Sequence, residues 1–300
     1  MCGALEDHDM STALQSKPAT PSHSSLSWGV RLAVFLALFG ALAFGFTFAL
    51  ARIFPIAQHK VPPLWVVMLG QLAVLVAAGL PAALMARVEH RSFSDYGLPS
   101  LAGKSFVLGV TWGFLALTAL LLAIRSTGDF SFDGMALHGI RILRSAAFWG
   151  LFFLIVAIFE EFLFRGYTLF TLAQGSGFWP AAVLSSIVFG AVHLANSSEG
   201  WMGALVAGMM GLFFCLTLRR TGSLWFAIGF HTAWEWGESY VYSVPNSGGI
   251  APGHLINSSL TGSHWITGGV AGPEASIFTL VLFLLLCLIF DRTHRQAVRA

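Results

Sequence analysis

Charged residues are scarce in this chain of 300 residues. Lys, Arg, Asp and Glu together make up 10% of it, whereas water-soluble domains carry about 25%. Sixteen basic residues nearly balance fourteen acidic ones, so the formal net charge is only +2. The basic excess typical of nucleic-acid-binding proteins is missing, and we expect no nucleic acid among the partners.

Cysteine is also rare, with Cys2, Cys215 and Cys287 as its three occurrences. Two of them lie inside apolar runs and no two have zinc-ribbon spacing, which excludes a disulfide framework and a zinc finger. The HExxH motif of soluble zinc proteases is absent as well.

Apolar residues are abundant instead, at 56% of the chain, and they include 27 Phe and 10 Trp. Mean hydropathy is +0.75. No soluble fold of this length could bury so much apolar surface. The composition therefore predicts a multi-pass protein of the lipid bilayer. Its spans must be helical, because a backbone in lipid has to satisfy its own hydrogen bonds.

Apolar runs that approach the roughly 20 residues needed to cross a bilayer predict about eight transmembrane helices. The runs are 29–51, 64–86, 105–124, 146–173, 178–195, 202–218, 222–240 and 276–290. The seventh run is interrupted by charge and the eighth is short, so seven crossings remain an alternative. The predicted fold class is all-α, a polytopic helical bundle.

Lys and Arg in the loops predict the orientation. If the N-terminus is cytoplasmic, ten of them fall inside and five outside, the latter being Arg52, Lys60, Arg125, Arg141 and Arg144. Basic loops favour the cytoplasmic side. We therefore expect both termini in the cytoplasm, with the bacterial plasma membrane as the location.

Three charges interrupt the fourth apolar run, where each costs about 2.5–3.5 kcal/mol on insertion scales. They are Glu160, Glu161 and Arg165. Glu161 and Arg165 are four residues apart, so they share a helix face and can pair. Glu160 is turned about 100° away and needs another partner. A purely structural ion pair would also explain Glu161 with Arg165.

A histidine in the fifth run is a candidate partner for Glu160. With a turn near 175–177, Glu160 and His193 each lie roughly 22–24 Å from that turn along antiparallel helices. A histidine that meets water at the outer end of a short span is the alternative reading of His193.

The seventh run adds two further candidates. His231 and Glu235 lie four residues apart and share a helix face, while Glu238 is expected at the interfacial end of the helix.

Carboxylates and imidazoles at low dielectric can activate water. Glutamate can take a proton from water and histidine can donate one to a leaving amine, while a second histidine can stabilise an oxyanion. Alternatively, two His and a Glu can bind zinc, with Glu160, His193, His231 and Glu235 as the candidate ligands. The cofactor thus stays open between a divalent metal such as zinc and none. Amide hydrolysis in the membrane fits both arrangements.

The motifs EExxxR (Glu160, Glu161, Arg165), FxxxH (Phe189, His193) and the HxxxE beginning at His231 resemble the CPBP group. This group comprises CAAX proteases and bacteriocin-processing enzymes, and is also called the Abi family. The resemblance covers roughly 148–240. It implies an intramembrane endopeptidase similar to the type II CAAX prenyl endopeptidase, with a membrane-associated protein or peptide as substrate and a farnesylated CaaX protein as its prototype.

The resemblance also implies roles for the residues. Glu160 would be the catalytic base, His193 would hold the water, Glu161 and Arg165 would support the site, and His231 would face the oxyanion. Glu235 departs from the family pattern, which usually has Asn or Asp there. It would therefore be either protonated or a metal ligand. The group is commonly named as metalloproteases, although its structurally understood members resemble glutamate-dependent proteases.

Two other functions use similar residues. A transporter or proton relay also buries Glu, His and Arg, but matching halves, common in transporters, are not evident. A non-catalytic immunity-type membrane protein of the same fold is the second, and the intact motifs argue against it.

The chain is expected to divide into a disordered polar tail (1–27), N-terminal transmembrane helices (28–145), a protease-like core (146–240), a long loop (241–275), and a last helix with a basic tail (276–300).

Overall fold

The computed structural model describes residues 26–54, 63–100 and 103–294. The predicted all-α polytopic bundle is confirmed. Within those residues, five helices are long and apolar enough to cross a membrane, and a further apolar helix of 16 residues is shorter. The chain is an integral membrane protein. The predicted tail lies outside the described residues except for Leu26 and Ser27, and so does the basic end at 295–300.

Each predicted apolar run overlaps a helix, and the run 146–173 overlaps two, separated by a π-helical segment. The helices in chain order are α1 (Trp28–Ile53), α2 (Leu64–Val88), α3 (Gly103–Ser126), α4 (Ile140–Glu161), α5 (Leu169–Ser176), α6 (Phe178–His193), α7 (Gly200–Thr221), α8 (Trp225–Trp236), α9 (His264–Thr267) and α10 (Ile277–Thr293). Two π-helical segments extend α4 and α8. They cover Phe162–Thr168 and Gly237–Tyr242.

A small antiparallel sheet was not expected from the sequence. Strand β1 (Phe130–Met135) pairs with β2 (Ile256–Leu260). The sheet joins the connection after α3 to the long loop at 241–275, and the Ser131 and Ser259 hydroxyls hydrogen-bond at 2.8 Å. Both strands lie outside the apolar runs. The long loop is therefore folded structure against the bundle rather than a free connector.

Glycine allows α3 and α8 to approach closely. A Cβ on Gly109 would lie 2.1 Å from the Phe226 carbonyl oxygen, and one on Gly113 would lie 2.3 Å from that of Phe230. Small residues at such contacts let helix backbones pack together inside membranes. This contact fixes α8, which carries His231 and Glu235.

The bundle has two distinct ends. At one end, Arg31 Nη1 contacts Glu89 Oε2 at 2.5 Å, Tyr167 donates to Glu89 at 2.7 Å, and Arg220 pairs with Asp291. The starts of α1 and α8 and the ends of α2, α5, α7 and α10 lie there. The sheet, the long loop and the ends of α6 and α8 lie at the opposite end. Both termini of the described chain are thus at the end away from the long loop.

Candidate active site

The end of α4 carries the first three candidate residues. The helix passes at Glu161 into the π-helical segment, in which Gly166 has a non-helical backbone (φ −82°, ψ −112°). Such π-helical turns frequently occur at functional sites. The ion pair expected from the spacing is present, with Arg165 Nη1 3.3 Å from Glu161 Oε1 and both side chains fully buried.

Aromatic rings surround the buried guanidinium of Arg165. Its central carbon lies 4.0 Å from the centre of the Phe189 ring, which gives a cation–π contact. Gly211 leaves the space for it, because a Cβ there would lie 2.2 Å from Arg165 Nη2. Arg165 is therefore enclosed by packed side chains, and its guanidinium contacts Glu161 from within the core.

His231 connects the carboxylates. Its Nδ1 lies 3.0 Å from Glu161 Oε1, and its Nε2 lies 3.1 Å from Glu235 Oε1 and 3.9 Å from Glu160 Oε2. The imidazole is 1% exposed, whereas the Glu160 side chain is 23% exposed. Two ring nitrogens facing carboxyl oxygens require either a doubly protonated ring or a protonated carboxyl partner. The network therefore holds at least one proton beyond that of a neutral imidazole.

His193 is the last residue of α6 and its ring orientation is fixed locally. Its Nδ1 lies 2.7 Å from the carbonyl oxygen of Phe189, and its ring packs edge-on against the Phe189 ring at 4.7 Å. A carbonyl only accepts, so Nδ1 carries a proton. In the neutral ring Nε2 is then an acceptor for water or substrate.

A cleft adjoins both histidines. It contains about 400 Å³ of empty space when its open mouth is included, and about 20 Å³ of it is a cavity lined by His193, His231 and Glu235 among others. A water molecule needs about 10–15 Å³ of such space. The cavity therefore has room for about one water.

The direct contact of Glu160 differs from the expected one. Glu160 contacts His231 at 3.9 Å, whereas its link to His193 is a charge interaction without a hydrogen bond between these two described residues. The reason is packing: α8 lies against α4, and His193 is held by its own helix. Five candidates, Glu160, Glu161, Arg165, His231 and Glu235, form one contact network, and His193 lies across the cavity.

Three residues that line the cleft were not predicted from the sequence as site residues. Glu199, Ser247 and Glu274 line it together with the candidates. Glu274 is the single Lys, Arg, Asp or Glu in the long loop at 241–275, and this isolation was the available signal. Burial, followed by the Glu199 charge, raises the pKa of Glu274 to about 8.

Glu238, expected at the interfacial end of the helix, is not exposed at the surface of the bundle. Its side chain is fully buried, because the π-helical segment continues α8 beneath the long loop.

The candidate metal ligands do not fit a metal in this arrangement. Among the described residues, no three His, Cys, Asp or Glu side chains are placed to hold an ion. Both nitrogens of His231 face carboxyl oxygens, which leaves no free lone pair directed at a shared point with His193 and Glu235. No step of the chemistry below therefore involves a metal.

The comparisons with known proteins agree with the position of this network. The family model described as type II CAAX prenyl endopeptidase, Rce1-like, matches residues 142–237. The matched segment contains all six candidate residues. The resemblance to the CPBP group is confirmed over this segment. No curated protein and no solved structure matches the chain.

Proposed function

We propose that this membrane bundle, with its Rce1-like segment, is an intramembrane endopeptidase that hydrolyses a peptide bond in a membrane-associated protein or peptide. One observation carries the proposal. A network of Glu160, Glu161, His231 and Glu235, in which Glu161 and His231 are buried, lies beside a cavity that has room for about one water and is also lined by His193. Such a set of groups suits general acid–base catalysis of hydrolysis.

In the proposed reaction, Glu160 takes a proton from the water while His193 Nε2 holds that water by accepting its second hydrogen. The oxygen of the water then attacks the peptide carbonyl carbon and an oxyanion forms. Glu160 passes its proton to the leaving amine, the C–N bond breaks, and the products are a carboxylic acid and an amine. Glu160 is the more exposed of the two adjacent glutamates, as a residue that meets substrate must be.

Glu161 and Arg165 are positioning residues in this proposal. Glu161 accepts from Nδ1 of His231, and Arg165 neutralises Glu161. One arrangement then needs no excess charge: His231 is neutral, and its Nε2 accepts a hydrogen bond from a protonated Glu235 across 3.1 Å. As charge develops on the substrate oxygen, the Glu235 hydroxyl turns this one hydrogen bond from Nε2 to the oxyanion and stabilises it. The departure from Asn or Asp at this position is thereby accommodated without a metal.

The test is hydrolysis of an internally quenched peptide library by purified protein in detergent. We expect Glu160→Gln and His193→Ala to lower turnover by about 10²–10⁴-fold while folded yield is kept. Asp133→Asn is the matched control, since it removes a carboxylate from β1, outside the network. Near-wild-type turnover of Glu160→Gln would show that another group is the base. A proton relay or a non-catalytic protein would show no turnover that depends on these residues.

A second arm of the same experiment examines the metal question. Glu235→Gln still donates a hydrogen bond through its amide, so it should keep much of the activity, and chelators should do little. Metal content of the purified protein is measured in parallel. Stoichiometric zinc whose removal stops cleavage, and whose return restores it, would replace the glutamate mechanism with a metal-dependent one.

A further inference from the structure

Three residues of α6 form one stripe that leads to the cleft. Ser185, Phe189 and His193 follow one another at intervals of four residues, so they lie along one side of the helix. Ser185 and Phe189 are buried, at 2% and 0% exposure, whereas His193 at the end of the helix is partly exposed. The stripe therefore runs from the core of the bundle to the proposed catalytic histidine.

The π-helical segment Phe162–Thr168, which we call the π segment, packs against this helix. Its backbone departs from helical geometry at Gly166. A change of helical turn interrupts the regular series of backbone hydrogen bonds. Inside a membrane, Ser and Thr side chains and neighbouring helices satisfy the backbone groups that such an irregularity frees. The π segment directly follows Glu160 and Glu161, so a contact that holds it also holds these two glutamates.

Ser185 provides such a contact from a different helix. Its hydroxyl donates to the Phe164 carbonyl oxygen at 2.9 Å, and the two residues are 21 positions apart in the chain. Thr217 shows the more usual arrangement. It is also fully buried, but its hydroxyl donates at 2.9 Å to the Phe214 carbonyl oxygen of its own helix. The Ser185 hydroxyl therefore joins two elements, whereas the Thr217 hydroxyl joins none.

Phe189 continues the contact towards the cleft. Its ring lies edge-on to the Phe164 ring, with the ring centres 5.0 Å apart, and it also meets the Arg165 guanidinium. The Phe189 carbonyl oxygen and ring in turn fix the His193 imidazole. On the other side of the π segment, Arg165 pairs with Glu161. One series of contacts thus connects Ser185 with both sides of the proposed site.

The distance between Glu160 and His193 depends on how their helices pack. The two side chains interact through charge, and no hydrogen bond joins these two described residues. In the proposed reaction both must contact the same water. A misplacement of about 1 Å can lower a rate by about 10²-fold. The contact that holds α6 to the π segment is therefore expected to affect turnover.

We propose that Ser185 is a positioning residue for the hydrolysis. Its hydroxyl holds the π segment against α6 and thereby sets the distance at which Glu160 and His193 contact one water. Ser185 is buried and lies eight residues, or about 12 Å along the helix, from His193. It therefore acts through these two residues rather than on the substrate. This inference rests on the proposed function, because it assigns Ser185 a part in that reaction.

The experiment compares Ser185→Thr with Ser185→Val, because threonine and valine have the same shape and differ in the hydroxyl. Full-length protein in detergent hydrolyses the quenched peptides. Relative to the threonine variant, we expect the valine variant to have a kcat about tenfold lower and a KM within about twofold, since positioning acts on the chemical step. Thr217→Val is the matched control and should keep kcat. Ser185→Ala, compared with the unmodified chain, replaces the pair if a branched side chain prevents folding.

A double-mutant cycle tests whether Ser185 acts through His193. Ser185→Val is combined with His193→Ala, and kcat is measured with enzyme in excess over peptide. The added loss from Ser185→Val should nearly vanish in the His193→Ala background, because effects of coupled residues are not additive. A loss by the same factor in both backgrounds would show a general structural effect and would overturn the positioning role.

Amide hydrogen exchange, read by mass spectrometry, measures the hold on the π segment without substrate. Residues 162–168 should exchange faster in Ser185→Val than in Ser185→Thr. Equal exchange in the two variants overturns the inference whether or not peptides are cleaved. Faster exchange with an unchanged kcat overturns the positioning role and leaves the peptidase. Faster exchange in a protein whose unmodified chain cleaves no peptide overturns the peptidase, and the role of Ser185 in hydrolysis with it.

Discussion

At the scale of single residues, His231 is the centre of the site because it contacts three glutamates at once. Each of the three comes within 3.9 Å of a ring nitrogen. Two of these glutamates are neighbours in sequence but face different sides of the ring. Adjacent carboxylates on one helix thereby have different surroundings, Glu161 fully buried against Arg165 and Glu160 partly exposed.

Loss of Arg165 should affect both stability and activity. Arg165→Ala leaves Glu161 buried without its basic partner, and breaking a buried pair typically costs about 3–5 kcal/mol. We expect a lower melting temperature and lower folded yield in detergent. Arg220→Ala is the matched control. Its pair with Asp291 is about one-fifth exposed, so water solvates the remaining charge and the loss should be smaller than for the fully buried pair.

A double variant tests whether the pair also positions His231. Glu161→Leu combined with Arg165→Met removes both charges and keeps the volume, so folded yield should largely return. Activity should stay low, since Nδ1 of His231 loses its acceptor. Normal melting of Arg165→Ala alone would contradict the pairing, and full activity of the double variant would contradict the positioning role.

At the scale of elements, the approach of α3 to α8 places His231. A Cβ at Gly113 meets the backbone of Phe230, the residue before His231, and a backbone cannot rotate away as a side chain can. The glycines of α3 therefore determine how closely α8 approaches α3.

Gly113→Ala should separate these helices. Overpacking typically costs about 1–3 kcal/mol, and we expect reduced thermal stability together with a larger loss of turnover. Gly79→Ala is the matched control in α2, where a Cβ meets nothing within 4 Å. It should be neutral or slightly stabilising, because alanine favours a helix by about 1 kcal/mol over glycine. If both variants melt and turn over alike, close packing of α3 on α8 does not position the site.

Of the features of the molecule, the long helices were the ones that the sequence predicted best. Run length located every long helix but neither the short α9 in the loop nor the break between α4 and α5. Four-residue spacing located the contacts of Glu161 with Arg165 and of His231 with Glu235. Spacing within one helix cannot tell which neighbour a residue meets, so the contact of Glu160 with His231 was missed. Glu199 and Glu274 were missed because a loop folds back on the bundle, and β1 and β2 because short pairing strands carry no apolar signal.

At the scale of the whole molecule, the long loop links pH to stability through Glu274. Its pKa of about 8 in the folded protein lies above the ordinary value of 4.5. Between these values the folded protein keeps a proton that the unfolded chain has released. Stability is therefore highest at and below about pH 4.5 for this group, and is lost as the pH rises towards 8.

We expect the melting temperature in detergent to fall by several degrees between pH 5.5 and 8.5. Glu274→Gln should flatten this decline, since the amide does not titrate, and Asp133→Asn should keep it. The groups that act on Glu274 are Glu199, Glu235, Glu238 and His231, so Glu199→Gln should lessen the slope without removing it. An unchanged slope in Glu274→Gln would assign the pH dependence to another group.

The two ends of the bundle determine the compartment from which a substrate arrives. The cleft meets the long loop at the end opposite the termini, so termini in the cytoplasm, as we propose, place its mouth on the exterior side of the plasma membrane. A cytosolic protein with a lipidated C-terminus would then meet the wrong face. Secreted or surface-anchored polypeptides would meet the right one, cut as they leave the cell or after they have left it.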